Sequence, residues 1–232
     1  MPLSSIAFIP DGNRRFAQAR GLHLLDSYQL GTQKAWDVLD WLKAYPAIKT
    51  GTFYTLSAEN LSRNKTELSV LLKIFDRQVD KALADPMFEE NQLRVRVIGD
   101  PTALPKALRQ KLDRLEHQTE NHAEKTVNLA IGYSGQHEIV SAAKKIAQQY
   151  KDGALDLASL TVDNFQNFLY SAFPNPDLII RTSGTKRLSG FLTYQSAYSE
   201  LYFVDKYWPE FSQQDLANAV DEFEQRERRF GK

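Results

Sequence analysis

The segment around Asp11 combines residue types that bind a diphosphate. Gly12 in a strand-to-helix turn frees backbone N–H groups for an anion, the helix N-terminus adds partial positive charge, and Arg14 and Arg15 add fixed charge. A carboxylate beside a phosphate repels it unless a hard cation such as Mg²⁺ bridges the two, so Asp11 indicates a metal ion as well. The alternative is a plain turn in which Asp11 or Asn13 caps the following helix.

Residues 181–189 form a second candidate site, since three cations and four hydroxyls fall within these nine residues. The 29 basic and 29 acidic residues of the chain give a formal net charge of zero, so this cluster is not part of a generally basic protein. The concentration predicts a second phosphate or diphosphate site, with a merely solvated loop as the alternative. The same neutrality argues against nucleic acid as a partner.

Two further polar features lie beside apolar strands. A hydroxyl, a carboxylate, an amide and a guanidinium follow the second predicted strand, at Ser57, Glu59, Asn60 and Arg63. By itself this cluster is more typical of a capped helix start, with Ser62 or Asn64 as the cap. Glu200 begins an otherwise apolar and aromatic stretch, where an acid needs a partner or a metal ion.

Composition and motifs exclude several classes of protein. The absence of cysteine excludes disulfides, thiolate metal sites and thiol nucleophiles, and it favours a reducing compartment. The four histidines have no metal-ligand spacing, and neither the G-x-S-x-G elbow nor the P-loop motif is present. No window approaches the roughly 18 apolar residues of a membrane span. We therefore expect a cytoplasmic protein that is soluble or rests on a membrane surface.

The elements that must position these residues alternate along the chain. Apolar or β-branched runs predict six strands, at 6–9, 52–57, 93–99, 127–133, 177–181 and 200–204. Amphipathic spacing predicts helices near 28–45, 65–84, 102–120, 136–150, 161–171 and 211–228. This alternation predicts one α/β domain over residues 1–232, with a six-stranded, mostly parallel sheet covered by helices. Ligands collect at the carboxyl ends of such strands, where the polar segments begin.

In several ordered motifs the chain resembles the cis-prenyltransferases, over most of its length. The motifs include IAFIPDGNRRFA, GTFYTLSAENLSRNKTELSVLLKIF, VNLAIGYSGQHEIV, DLIIRTSGTKRLSGFLTYQSAYSELYF and the terminal RERRFG. The PDGNRR form is similar to that of archaeal members. The resemblance implies an enzyme that condenses isopentenyl diphosphate with an allylic diphosphate of the farnesyl or geranylgeranyl type, releasing diphosphate and making a polyprenyl diphosphate.

The resemblance also implies a role for each candidate residue. It implies Mg²⁺ on Asp11 with the allylic diphosphate held by Gly12, Asn13, Arg14 and Arg15. It implies isopentenyl diphosphate on Arg181, Arg187 and Ser189, with Glu200 as a second metal-associated carboxylate. Ser57 and Asn60 would position the acceptor and remove its proton, with Glu59 and Arg63 nearby. An apolar cleft for the prenyl chain would be lined by Phe53, Leu56, Leu72, Phe75 and Leu129, with ordinary core packing as the alternative for each.

Four positions depart from the family pattern: Ser5, Leu24 and Tyr28 stand where basic residues are usual, and Thr185 stands where an acid is usual. These departures keep alternatives open within the family, namely a short-chain or irregular, lavandulyl-type synthase and a non-catalytic partner subunit. A phosphate-ester hydrolase using metal-activated water is the alternative outside it.

The resemblance further implies a homodimer and, for product release, contact with a membrane surface. Aromatic side chains in the last third of the chain are the expected dimer surface: Phe191, Tyr194, Tyr198, Tyr202 and Trp208.

Overall fold

The computed structural model describes residues 2–61, 65–170 and 173–226. Its centre is a sheet of six strands: β1 (Ser5–Ile9), β2 (Thr50–Ser57), β3 (Leu93–Ile98), β4 (Lys125–Tyr133), β5 (Leu178–Arg181) and β6 (Glu200–Phe203). The spatial order is β3-β4-β2-β1-β5-β6, and every neighbouring pair is parallel. All six predicted strands are confirmed, and the sheet is wholly rather than mostly parallel.

Helices connect and cover these strands. In the described part of the chain they are α1 (Asn13–Arg20), α2 (Leu24–Trp41), α3 (Ala58–Leu61), α4 (Lys65–Ala84), α5 (Met87–Glu90), α6 (Lys106–Gln118), α7 (Gly135–Lys151), α8 (Val162–Phe165) and α9 (Gln213–Gln225). The helix predicted over 161–171 is reduced to the four residues of α8 and a 3₁₀ turn, Gln166–Phe168. The start predicted at 28 is four residues late, because α2 begins at Leu24 after the separate helix α1.

The central strand β1 is buried along its whole length. Phe8 faces one side of the sheet, where its ring stacks 5.0 Å from that of Phe53 and also packs near Trp208 and Phe211. Ile9 faces the other side, in a separate apolar cluster. Burial on both faces explains why β1 is a continuous apolar run rather than an alternating one.

The topology places a crevice beside the carboxyl end of β1. β2 lies on one side of β1 and β5 on the other, so the chain leaves β1 in one direction and returns on the opposite side. Open parallel sheets bind ligands at such a switch in strand order. The turn after β1 and the loop after β5 therefore meet at this point.

The expected dimer surface is partly wrong. Phe191 and Trp208 are 0% and 2% exposed and belong to the core. Tyr198 is 72% exposed, and Tyr202 is half-buried on the edge strand β6, whose four residues are all half-buried. Among the described residues, no helix is long and apolar enough to cross a bilayer.

Candidate active site

The turn that follows β1, residues 10–15, is shaped by a glycine in the left-handed region. Gly12 has φ +103° and directly precedes α1. A Cβ at this position would lie 2.7 Å from a ring carbon of Tyr207 and 2.9 Å from the Cβ of Ser183, which leaves room only for glycine. The backbone N–H of Asp11 donates to Thr182 Oγ at 2.9 Å, and the Thr182 hydroxyl lies 2.7 Å from the Asp11 carbonyl. The Asp11 turn is thereby joined to the loop after β5.

Asp11 is an ionised carboxylate held by two arginines. Arg181 donates to its Oδ2 at 2.6 Å, and an Nη of Arg15 lies 3.3 Å from its Oδ1. Burial by itself would raise the pKa of Asp11, but the bond and charge of Arg181, helped by Ser183 and Arg15, lower it below the usual value. The carboxylate is therefore charged at neutral pH.

Arg181 organises residues 181–190, which we call the Arg181 loop. Arg181 is 4% exposed, and its guanidinium donates to the carbonyl of Arg187 and, at 2.8 Å, to Ser189 Oγ. Ser183 and Ser189 have φ values of +76° and +53°, which non-glycine residues rarely adopt. Such strain persists where surrounding contacts enforce it, and it is concentrated at functional sites. Arg187, in the middle of this loop, is exposed.

The N-terminal turn of α1 provides the remaining charge. Arg14 is exposed, with its Nε 3.8 Å from Glu67, and Arg15 donates to Ser183 Oγ at 2.6 Å. The buried Oδ1 of Asn13 has no hydrogen-bond partner. Two cationic side chains, Arg15 and Arg181, therefore contact Asp11, and Arg14 and the partnerless amide oxygen of Asn13 belong to the same turn.

Ser57 and Asn60 cap each other at the start of α3. The Ser57 N–H donates to Asn60 Oδ1 at 3.2 Å, and the Asn60 N–H donates to Ser57 Oγ at 3.1 Å. The predicted caps Ser62 and Asn64 lie, with Arg63, outside the described residues, so the capped-helix interpretation of that segment stays a prediction. Asn60 also lines the cleft described below, and Glu59 is exposed. The proton-removing role of Ser57 and Asn60 stays a prediction.

Glu200 lies away from the Arg181 loop, contrary to its expected place as a metal-associated carboxylate of the acceptor site. It is the first residue of β6 and is in register with Leu178. It therefore lies at the amino ends of the strands, whereas the Arg181 loop follows the carboxyl end of β5. Three residues separate that level from Arg181 and Phe203, about 10 Å along the strand at roughly 3.3 Å per residue. Its carboxylate accepts a 2.6 Å bond from Arg226. Glu200 and Asp11 of one chain therefore cannot share one metal ion.

The chemistry of the remaining donors still fits a magnesium ion. No cluster of three or more His, Asp or Glu residues able to hold a metal occurs in the described chain. Mg²⁺ is usually bound by one or two carboxylates together with substrate phosphates rather than by an all-protein cage. Asp11, as one ionised carboxylate beside the cationic Arg15 and Arg181, matches that arrangement.

An apolar cleft of about 780 Å³ opens from the Asp11 turn. It runs along α2 and α4 over one face of the sheet and reaches Phe88 and Leu115. Of the predicted lining residues, Phe53, Leu56, Phe75 and Leu129 line it. Leu72 packs in the neighbouring core instead.

Two tyrosines beside this site, Tyr28 and Tyr54, belong to none of the predicted sets of site residues. The Tyr28 hydroxyl donates to Glu67 at 2.8 Å, and Tyr54 lines the cleft while reaching the Arg181 loop. Tyr28 was noticed only as a departure from a pattern. Tyr54 could have been found from the predicted strand 52–57, because a phenol on a buried strand needs a hydrogen-bond partner and the loops at the carboxyl ends of the strands can supply one.

Comparison with known proteins agrees with this geometry. Residues 9–231 match the family profile described as "Putative undecaprenyl diphosphate synthase". A tritrans,polycis-undecaprenyl-diphosphate synthase (geranylgeranyl-diphosphate specific) of Pyrobaculum aerophilum is 41% identical over 98% of this chain and 95% of its own length. An isoprenyl transferase of Thermus thermophilus is 40% identical over 98% of this chain and 88% of its own length.

Solved structures give the same result. The structure of lavandulyl diphosphate synthase from Lavandula x intermedia in complex with dimethylallyl diphosphate superposes with a TM-score of 0.94 at 30% identity, over 99% of this chain and 98% of the other. Profile, sequence and structure agree over nearly the whole chain. The protein therefore belongs to the undecaprenyl diphosphate synthase family of cis-prenyltransferases and is a prenyltransferase.

Proposed function

We propose that this chain condenses isopentenyl diphosphate with an allylic prenyl diphosphate, releasing diphosphate and lengthening a linear polyprenyl diphosphate that serves as a lipid-carrier precursor. The observation that carries the proposal is the position of the Asp11–Arg181 pair, at the mouth of a long apolar cleft. An ionised carboxylate and buried cation suit a diphosphate with its metal ion, and the cleft suits a prenyl chain.

The residues of the Asp11 turn would bind the allylic diphosphate. Ionisation of that substrate places negative charge on the leaving diphosphate, and preorganised positive groups stabilise the charge most effectively where water is excluded. The α1 N-terminus with Arg14 and Arg15 supplies such groups. Mg²⁺, when bound at Asp11, would neutralise further charge on the leaving oxygens.

The Arg181 loop would bind the acceptor diphosphate beside the first site. Arg187 is exposed and available to an anion, while Arg181 holds the loop in shape and faces Asp11. The acceptor double bond would attack the allylic carbon at the top of the cleft, where Asn60 lies, as the diphosphate leaves. The cation formed on the acceptor would then lose a proton, which restores a double bond. The apolar walls would exclude water from the carbocation.

A short-chain or irregular product is the second candidate, and a specific observation favours it. The lavandulyl diphosphate synthase superposes with a TM-score of 0.94, and this chain has Leu24, Tyr28 and Thr185 at positions that are usually charged in the family. The geranylgeranyl specificity in the name of the Pyrobaculum relative favours geranylgeranyl diphosphate as the primer for the elongating alternative.

The test is an assay of the purified protein with Mg²⁺, isopentenyl diphosphate and allylic primers of several lengths. Mass spectrometry should detect linear products longer than the primer by several five-carbon units, and EDTA should abolish them. A single branched condensation product would indicate the irregular synthase. No condensation in the presence of Mg²⁺ would indicate a non-catalytic subunit, and release of free phosphate would indicate a hydrolase.

The proposal includes a cytoplasmic homodimer, with product release at a membrane surface. The half-buried side chains of the edge strand β6 and the exposed Tyr198 support a second copy of this chain as the partner that covers this surface.

A further inference from the structure

The turn at Ser189 needs contacts from outside its own loop to keep its conformation. Ser189 has φ +53°, and Gly190 and Leu192 follow with φ +74° and +46°. A run of left-handed residues that includes non-glycine side chains is costly and persists only where the surroundings enforce it. Arg181 supplies one such contact by donating to Ser189 Oγ at 2.8 Å. That bond fixes the side chain but leaves the Ser189 carbonyl to another partner.

Tyr54 supplies the contact to the backbone of this turn. Its hydroxyl lies 3.3 Å from the carbonyl of Ser189 and 3.3 Å from the carbonyl of Tyr133, so its single proton is shared between the two acceptors. The Tyr54 ring stacks on Phe191 with centroids 4.6 Å apart and an interplanar angle of 15°. One side chain therefore contacts the turn through both its ring and its hydroxyl.

Buried hydrogen bonds hold the residues that contact Tyr54. The Tyr133 hydroxyl donates at 2.5 Å to the fully buried carboxylate of Glu138, which also accepts from Gln195 at 3.1 Å. The N–H of Gly135 donates to the Gly190 carbonyl at 2.8 Å. Burial, aided by the negative charge of Glu59, raises the pKa of Tyr54, so its phenol remains a donor at neutral pH.

We propose that Tyr54 is a positioning residue for the acceptor substrate: its hydroxyl and ring hold the Ser189 turn so that Arg187 and Ser189 present their polar groups to the acceptor diphosphate. This inference rests on the proposed function, because it assumes that the Arg181 loop binds isopentenyl diphosphate. It goes beyond that function by connecting a residue of the cleft wall with the conformation of the acceptor loop.

The test is Tyr54→Phe, which keeps the ring and its stacking on Phe191 and removes only the hydroxyl. Tyr150→Phe is the matched control, because it removes an exposed phenol near the end of α7 that does not line the cleft. In Tyr54→Phe the KM for isopentenyl diphosphate should rise roughly three- to tenfold, the effect of one neutral hydrogen bond. The KM for the allylic primer should stay unchanged, and Tyr150→Phe should leave both KM values unchanged.

Thermal unfolding and titration calorimetry with isopentenyl diphosphate make the result decisive. A Tyr54→Phe protein that melts with the wild type and binds the acceptor more weakly supports the inference. An unchanged acceptor KM, or an equal rise in both KM values, overturns it. Absence of condensation by the wild type would instead overturn the proposed function, so the two failures are distinguishable.

Discussion

Asp11 combines two roles that oppose each other. It is the one acidic residue of the Asp11 turn and the proposed ligand of Mg²⁺, yet in the free chain its carboxylate is bound by Arg181 and lies near Arg15. Substrate and metal must therefore enter a site whose charges already neutralise one another. A carboxylate without arginine partners could bind the metal ion without first giving up an ion pair.

The first prediction concerns this carboxylate. Asp11→Asn should lower turnover by at least about a hundredfold, because it removes the charge that binds the metal, an interaction worth several kcal/mol in the transition state. Asparagine is preferred to alanine because it leaves a polar group beside the buried Arg181. Initial rates at saturating Mg²⁺, with circular dichroism as a check of folding, test it. A folded variant with near-normal turnover would contradict the metal assignment.

The two arginines of the Arg181 loop should behave differently. Arg187→Ala should raise the KM for isopentenyl diphosphate roughly 10- to 150-fold, the equivalent of about 1.5–3 kcal/mol for a charged hydrogen bond, without changing the melting temperature. Arg181→Ala should lower stability as well, because that side chain holds Asp11, Ser189 and the carbonyl of Arg187. Steady-state kinetics and thermal melts of both variants test the difference. Equal KM changes for both substrates would count against separate sites.

The sequence predicts all six strands but only part of the candidate site. Strands of a parallel sheet that are buried on both faces are short apolar runs, so β1 and β5 could be predicted from hydrophobicity alone. The predicted position of Glu200 was wrong, although the sequence pattern was sufficient to place it. The first residue of a strand in a parallel sheet lies at the amino ends of the strands, away from the ligand-binding loops. The contacts of Tyr54 with Ser189 could not be read, because they join residues 135 positions apart through a strained turn.

The start of α9 indirectly supports the Arg181 loop. Asp215 accepts from the Ser212 hydroxyl at 2.6 Å and from Lys206 at 2.8 Å, and the Lys206 carbonyl in turn accepts from the N–H of Ser183. The capping box at this helix therefore fixes the segment against which the loop lies.

This arrangement predicts a pH dependence of stability. Burial would raise the pKa of Asp215, but the bonds from Lys206 and Ser212 outweigh burial and lower it below 3.8. A lowered pKa means that the carboxylate stabilises the fold fully above the unfolded value and loses that effect as pH falls through the folded value. The stability difference between wild type and Asp215→Asn should be full at pH 6 and shrink below pH 3.8. Urea unfolding at several pH values measures it, and a constant difference would refute the assignment.

At the scale of the molecule, the two edges of the sheet differ. On β3, the N–H groups of Val95 and Val97 donate to Thr119 and Glu116 of the α6 region, at 3.0 and 2.8 Å. These bonds satisfy the outward backbone donors and block strand addition. On β6 the side chains are half-buried, and the exposed Tyr198 lies just before the strand. Association should therefore use the β6 side.

We expect a homodimer through this β6 surface. Sedimentation velocity at micromolar concentration should give about twice the 26.5 kDa chain mass. A double variant, Tyr198→Lys with Tyr202→Lys, should shift the species toward monomer, because it places charge where an apolar patch is buried on association. Lysine at the exposed Leu30 of α2 serves as a control for added charge. A wild-type monomer, or a dimer unaffected by the double variant, would disprove the proposed surface.

The length of the cleft decides what product the whole molecule makes. Side chains of α4 line it from Leu71 to Ala82, about 16 Å at 1.5 Å per residue, which is more than one added five-carbon unit requires. Thr185 lacks the charge of the usual acid, and its hydroxyl lies 3.4 Å from Arg15, where it can still accept a hydrogen bond. We therefore expect wild type to make long linear products and Thr185→Glu to change KM more than product length. Mass spectrometry of both proteins with the same primers tests this. A wild type that yields only a single branched product, converted to long linear chains by Thr185→Glu, would establish the irregular synthase instead.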